Sequence, residues 1–106
     1  MRNAQNKLGW KLYLDDVRNP TDPDFIVARS SEEALELCRS MGFPAFMSLD
    51  HDLGGEDTTM VFLNRLVREL WDTYSTPPEF VIHSANPVGS KNIESFMRSW
   101  AKSLEM

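Results

Sequence analysis

Four short apolar runs, three of them closed by a cluster of acidic, histidine or amide side chains, constrain this chain more than anything else in it. Leu8-Gly9-Trp10-Lys11-Leu12-Tyr13-Leu14 runs into Asp15-Asp16, and Phe25-Ile26-Val27-Ala28-Arg29 forms a second run. Ala45-Phe46-Met47-Ser48-Leu49 closes in Asp50-His51-Asp52, and Phe80-Val81-Ile82 closes in His83-Ser84-Ala85-Asn86. Runs this short read as buried strands, and what separates the later ones has helical spacing. Ser30 and Glu33 stand at capping-box distance, Ala34, Leu35, Cys38 and Met41 follow at helical intervals, and Gly42 and Pro44 stop the helix. Leu63, Leu66, Val67, Leu70 and Tyr74 make the stripe of a second helix, predicted over 58–74 as the longest, with Asp57 as its cap and Pro77-Pro78 beyond its end. Pro87-Val88-Gly89-Ser90 reads as a turn into a last helix whose core face is Ile93, Phe96, Met97, Trp100 and Leu104. The order β, β-α, β-α, β-α predicts an α/β domain with a mainly parallel sheet and helices packed on it.

The 106 residues make one such domain and leave no room for a second, with residues 1–7 polar and frayed. Sixteen acidic against eleven basic residues give a net charge of −5. That argues against a broad nucleic-acid surface, which rests on phosphate neutralisation by Lys and Arg, but leaves room for a small phosphorylated ligand in a local pocket. Cys38 is the single cysteine and falls on the apolar face of the first helix, so it reads as a core residue in a reducing compartment. There is no apolar leader and no run long enough to span a membrane. A soluble protein without membrane association is expected, located in the cytoplasm (a host cytoplasm if a phage encodes it).

In an open α/β sheet, ligands bind outside the carboxyl ends of the strands, where strand order reverses. Asp15 and Asp16, then Asp50, His51 and Asp52, then His83, Ser84 and Asn86 would converge there. Each has an ordinary alternative: an Asp after a strand is often a turn former, a lone His a structural residue, Ser84 and Asn86 turn groups bonded to backbone. Together they are harder to dismiss, because four bunched Asp repel one another and a divalent cation offsets that cost. Asp15, Asp16, Asp50 and Asp52 are therefore the candidate ligands of Mg²⁺ or Mn²⁺, hard ions that prefer oxygen. Asn86 to Ser90 leads into a helix N-terminus, which favours anions. Arg18 and Lys91 are the nearby cations for a phosphate, although each also reads as a solvated surface charge.

The three motifs Leu12-Tyr13-Leu14-Asp15-Asp16-Val17-Arg18, Ser48-Leu49-Asp50-His51-Asp52-Leu53-Gly54 and His83-Ser84-Ala85-Asn86-Pro87-Val88-Gly89, with Asn92, resemble the cyclic-phosphate-processing receiver-like family of phages and bacteria. More widely, the acidic pair, Asp50 and Ser84-Ala85 are similar to the acidic pair, phosphoacceptor Asp and Ser/Thr-Ala of response-regulator receivers. The resemblance implies strand order 2-1-3-4, with the site between the first and third strands. A Pro-containing loop stands where receivers have their first helix. The chain stops after the helix that follows the fourth strand, so the receivers' fifth strand and its Lys are expected to be absent. That leaves the fourth strand as an edge for a possible homodimer.

The activity this implies is a metal-dependent phosphoesterase that opens a cyclic phosphate, such as an RNA 2′,3′-cyclic end or a cyclic nucleotide. Asp50, His51 and His83 would be catalytic, the histidines as acid and base. Ser84, Asn86, Gly89, Arg18 and Lys91 would hold the phosphate. The alternative is a receiver-derived binding or signalling module without catalysis, with Asp50 as phosphoacceptor or a partner docked on the last helix.

Overall fold

The computed structural model of the protein describes residues 9–70 and 77–103. Its elements in chain order are β1 (Lys11–Leu14), β2 (Phe25–Ala28), α1 (Ser31–Met41), β3 (Phe46–Leu49), α2 (Thr59–Leu70), β4 (Glu79–Ile82) and α3 (Pro87–Ser103). All four strands are parallel, in the order β2-β1-β3-β4, as the resemblance implies. The crossovers β2-α1-β3 and β3-α2-β4 run in the same direction across the sheet. Right-handed connection then places both helices on one face, and α2 packs against both α1 and α3.

The register decides which side chains meet those helices. Leu12, Ile26, Met47 and Phe80 share one rung, and Leu14, Ala28, Leu49 and Ile82 the next rung on that face. Leu12, Leu14, Ala28, Met47 and Leu49 are buried there against Leu35, Phe62, Leu63, Leu66, Ile93 and Met97. The opposite face carries Lys11, Phe25, Phe46 and Glu79, then Tyr13, Val27, Ser48 and Val81. Its aromatic rings run in a row. Tyr13 meets Phe25 edge-on at 5.6 Å, Phe25 lies 6.0 Å from Phe46, and the Lys11 Nζ sits 4.7 Å above the Phe25 ring.

The first helix keeps its predicted bounds. Ser30 Oγ accepts the Glu33 N–H at 3.1 Å, Glu33 reaches back to the Arg29 N–H at 2.5 Å, and Gly42 closes the helix by donating to the Cys38 carbonyl at 2.8 Å. Cys38 is 1% exposed and burial pushes its thiol up to about 12, so it is an inert core group. The first strand starts at Lys11 rather than Leu8. Gly9 turns the chain with φ +73°, where a Cβ would collide with the Ala45 side chain, and Trp10 pairs its carbonyl with Ala45 N–H at 2.8 Å. Leu8 itself lies outside the described residues.

Two helix readings need correction. Asp57 does not cap the helix that follows it. Its Oδ2 accepts the N–H of Ser31 at 2.8 Å, at the start of α1. The long-range bond ties the loop after β3 to the first helix, a pairing local spacing cannot reveal. Asp57→Ala is expected to lower the unfolding free energy by about 1 kcal/mol, read as a lower urea midpoint at unchanged slope; an unchanged midpoint would remove this tie. Pro87 to Ser90 is not a turn before α3 but its first turn. Pro87 occupies the first helical position, Asn86 Oδ1 accepts Gly89 N–H at 2.9 Å, and the Asn86 carbonyl accepts Ser90 N–H at 2.9 Å. The described span of α3 is seventeen residues and that of α2 twelve. Residues 71–74 of the predicted second helix, and Leu104, lie outside the described residues. No described helix is long and apolar enough to cross a membrane.

Candidate functional site

Asp15, Asp50 and His83 each follow the last residue of a strand, and each carries one further rung of the sheet. Asp15 N–H donates to Ala28 O at 3.1 Å, Asp50 N–H to Leu14 O at 3.0 Å and His83 N–H to Leu49 O at 2.9 Å. Backbone pairing thus places three side chains, drawn from distant stretches of sequence, at one end of the sheet.

Asp15 is fully buried. Its Oδ1 accepts the backbone N–H groups of Val17 (2.9 Å) and Arg18 (2.8 Å), folding the chain back over the strand end. Its Oδ2 lies 2.9 Å from His83 Nε2 and 3.6 Å from Arg18 Nε. Burial raises the pKa of this carboxyl, but the two backbone amides and His83 outweigh it, leaving it below its ordinary 3.8. The folded value is thus the lower one. The stability Asp15 contributes is complete above the unfolded pKa and disappears as pH falls through the depressed folded value. Wild type should therefore lose stability steeply in acid, while Asp15→Asn, less stable at neutral pH, should show a shallower acid limb in pH-dependent urea denaturation.

Asp50 is 7% exposed; its Oδ1 accepts the His51 N–H at 2.8 Å and its carbonyl accepts the Thr59 hydroxyl. One carboxylate oxygen each from Asp15, Asp16 and Asp50 lies within 4.8 Å of the other two. Three hard oxygen donors at this separation suit Mg²⁺ or Mn²⁺ in donor type, and Arg18 is the cation set against them. Asp52, expected with them, is not in this group. Its Oδ1 lies 3.0 Å from His51 Nδ1 and its Oδ2 3.3 Å from Asn86 Nδ2, contacts that hold its carboxyl below the usual range.

A cleft of about 490 Å³ opens above the acidic trio. Arg18, Ser84 and Asn86 line it together with Asp16, Asp50 and Asp52. Gly54 and Gly55, after the third strand, and Val17 and Ala85 complete the wall. Lys91 is exposed on α3, Gly89 is buried, and His51 and His83 are partly buried beside the strand ends; none of the four lines the cleft. The Gly89 N–H is taken by Asn86, and a Cβ at Gly89 would run into the His51 ring. Gly89 therefore serves as the flat surface on which His51 rests.

Three residues that shape the site escaped the sequence reading. Arg29 Nη1 donates to the carbonyls of Asp15 (3.1 Å) and Arg18 (2.6 Å), and Nη2 bonds the Asn19 side chain, so one guanidinium holds the acidic loop in shape. Ser48 Oγ lies 2.8 Å from His83 Nδ1. Tyr13 stacks on the His83 ring, centroids 4.6 Å apart and planes 8° from parallel. A polar Ser48 inside an apolar strand, and Tyr13 alternating with Leu12 and Leu14, were the available signals.

Parallel strand order, an acidic pair after β1, a buried Asp after β3 and Ser-Ala after β4 define a receiver-like α/β domain. The chain belongs to the family of cyclic-phosphate processing receiver domains, whose sequence profile matches residues 10–99. Comparison with curated proteins and with solved structures returned no match.

Proposed function

We propose that the protein is a metal-assisted phosphoesterase that opens a cyclic phosphate, either a cyclic nucleotide or the 2′,3′-cyclic end of an RNA. The observation that carries this reading is the convergence of Asp15, Asp16 and Asp50 beneath a cleft walled by Arg18, Ser84 and Asn86, in a chain whose family is described by cyclic-phosphate processing. Asp15, Asp16 and Asp50 would hold Mg²⁺ or Mn²⁺, which when bound supplies Lewis acidity toward phosphoryl oxygen. Arg18 orients the phosphate: its Nη1 is steadied by the His83 carbonyl at 3.1 Å, while its side chain remains half exposed toward the cleft. Ser84 Oγ accepts the Asn86 N–H at 3.0 Å, which leaves its hydroxyl proton for a phosphate oxygen. His51 moves the proton. Asp52 engages its Nδ1, and its Nε2 has no hydrogen-bond partner among the described residues.

The test is hydrolysis of a panel of 2′,3′- and 3′,5′-cyclic nucleotides with Mn²⁺, Mg²⁺ or a chelator. Turnover lost on chelation, and lowered by about 100-fold or more in His51→Ala, supports the assignment. Turnover indifferent to both removes it. The nearly buried position of Asp50 beside Asp16 and Ser84 favours a second reading, a phosphoacceptor in a signalling module. Phosphate incorporation at Asp50 from a small phosphodonor with Mg²⁺, with the nucleotide panel inert, would select that reading.

A further inference from the structure

The two histidines are held differently. His51 has one ring nitrogen engaged, whereas His83 has both: Nε2 lies 2.9 Å from Asp15 Oδ2 and Nδ1 lies 2.8 Å from Ser48 Oγ. An ionised carboxylate only accepts, so the Asp15 contact requires the proton on Nε2. The Ser48 hydroxyl can then donate to a bare Nδ1. Tyr13 covers one face of the ring at 4.6 Å, and the His83 backbone is fixed by Leu49 O at 2.9 Å and Arg18 Nη1 at 3.1 Å. The order acid, imidazole, hydroxyl is also that of a nucleophilic serine relay. Ser48, however, is 6% exposed in the interior of β3, where no phosphorus atom can approach its oxygen.

We infer that His83 is a positioning residue rather than a proton carrier, with its tautomer set by the Asp15 carboxylate and its ring held in place by Ser48 and Tyr13. Asp15 holds the ring as the Nε2–H form, and Ser48 and Tyr13 fix where it stands. That N–H pins Asp15 Oδ2 and so sets how the Asp15 carboxylate faces Asp16 and Asp50. Such supporting hydrogen bonds commonly change metal affinity by about 10–100-fold. The consequence for cation binding rests on the functional reading above; the placement of the proton on His83 does not.

The experiment has two arms. Long-range ¹H–¹⁵N spectra of the full chain, recorded where the imidazole is neutral, should show His83 with its proton on Nε2, in wild type and in Ser48→Ala alike. A wild-type Nδ1–H ring, or a change of tautomer in Ser48→Ala, overturns the inference. In the second arm, Mn²⁺ binding by electron paramagnetic resonance and cyclic-nucleotide turnover are compared in wild type, His83→Ala and His83→Gln. The Gln amide can donate to Asp15 but cannot carry a proton through the reaction. His83→Ala should weaken Mn²⁺ about 10-fold or more, and His83→Gln should return affinity and turnover to within about threefold of wild type. If His83→Gln binds Mn²⁺ normally yet turns over no better than His83→Ala, His83 carries a proton and the inference fails. Absence of Mn²⁺ binding in wild type would overturn the metal reading instead, while the spectra still decide where the His83 proton lies.

Discussion

Asp50→Asn is expected to lower Mn²⁺ affinity and cyclic-phosphate turnover by at least about 100-fold each, with the fold intact. The substitution keeps the side-chain shape, and an amide oxygen still accepts the His51 N–H that Asp50 Oδ1 accepts at 2.8 Å. What it removes is one of three negative charges whose oxygens lie within 4.8 Å of one another. Without metal that removal relieves repulsion. In chelator, Asp50→Asn should therefore melt no lower than wild type, and somewhat higher if repulsion dominates. With Mn²⁺ the order should reverse, because ligand bound only to the native state raises wild-type stability in proportion to the logarithm of its concentration over Kd. A binding defect paired with metal-free stabilisation distinguishes a lost ligand from a damaged fold. Unchanged Mn²⁺ affinity would exclude Asp50 from the metal site.

Gly89→Ala pits two effects against each other and so has an informative sign. Inside a helix, Ala is the better residue by about 1 kcal/mol, and Gly89 is not at a positive φ, so propensity alone predicts stabilisation. Packing predicts the reverse. The new Cβ would lie 2.6 Å from His51 Cδ2 and 2.7 Å from its Nδ1, distances that real Cβ contacts do not show. Either the start of α3 lifts or the ring rotates away from Asp52. Net destabilisation of about 1–3 kcal/mol is expected. Turnover should fall on the order of 100-fold, the cost of displacing a reacting group by about an ångström. Urea denaturation and steady-state kinetics read the two effects separately. A more stable variant with unchanged turnover would show that His51 does not need this surface.

What the sequence discloses and what it conceals divide along physical lines. The strands, α1 and the convergence of Asp15, Asp16 and Asp50 are legible because apolar runs, helical spacing and parallel topology are carried by adjacent residues and by general rules of chain crossing. Pro87 was misread because Pro serves equally in a turn and at the first position of a helix, and only the Asn86 cap, seen in three dimensions, separates the two. Asp57 was misread because its partner, Ser31, lies on a different helix. Asp52 is expected with the other carboxylates because four bunched Asp repel, whereas its oxygens contact His51 Nδ1 and Asn86 Nδ2. Arg29, Ser48 and Tyr13 act through contacts across the sheet, and no local pattern marks an Arg that holds a loop or a Ser that orients a ring.

The three strand-end side chains sit on the final rungs of the ladder, at Asp15 N–H, Asp50 N–H and His83 N–H. Strand ends are where a sheet begins to fray, and here fraying of any one of three strands dismantles the site. A ligand held by Asp16, Asp50 and the Ser84–Asn86 segment would act as a clip across the ends of β1, β3 and β4. Occupancy would then be coupled to cohesion of three of the four strands, with only β2 at the far edge left outside the clip.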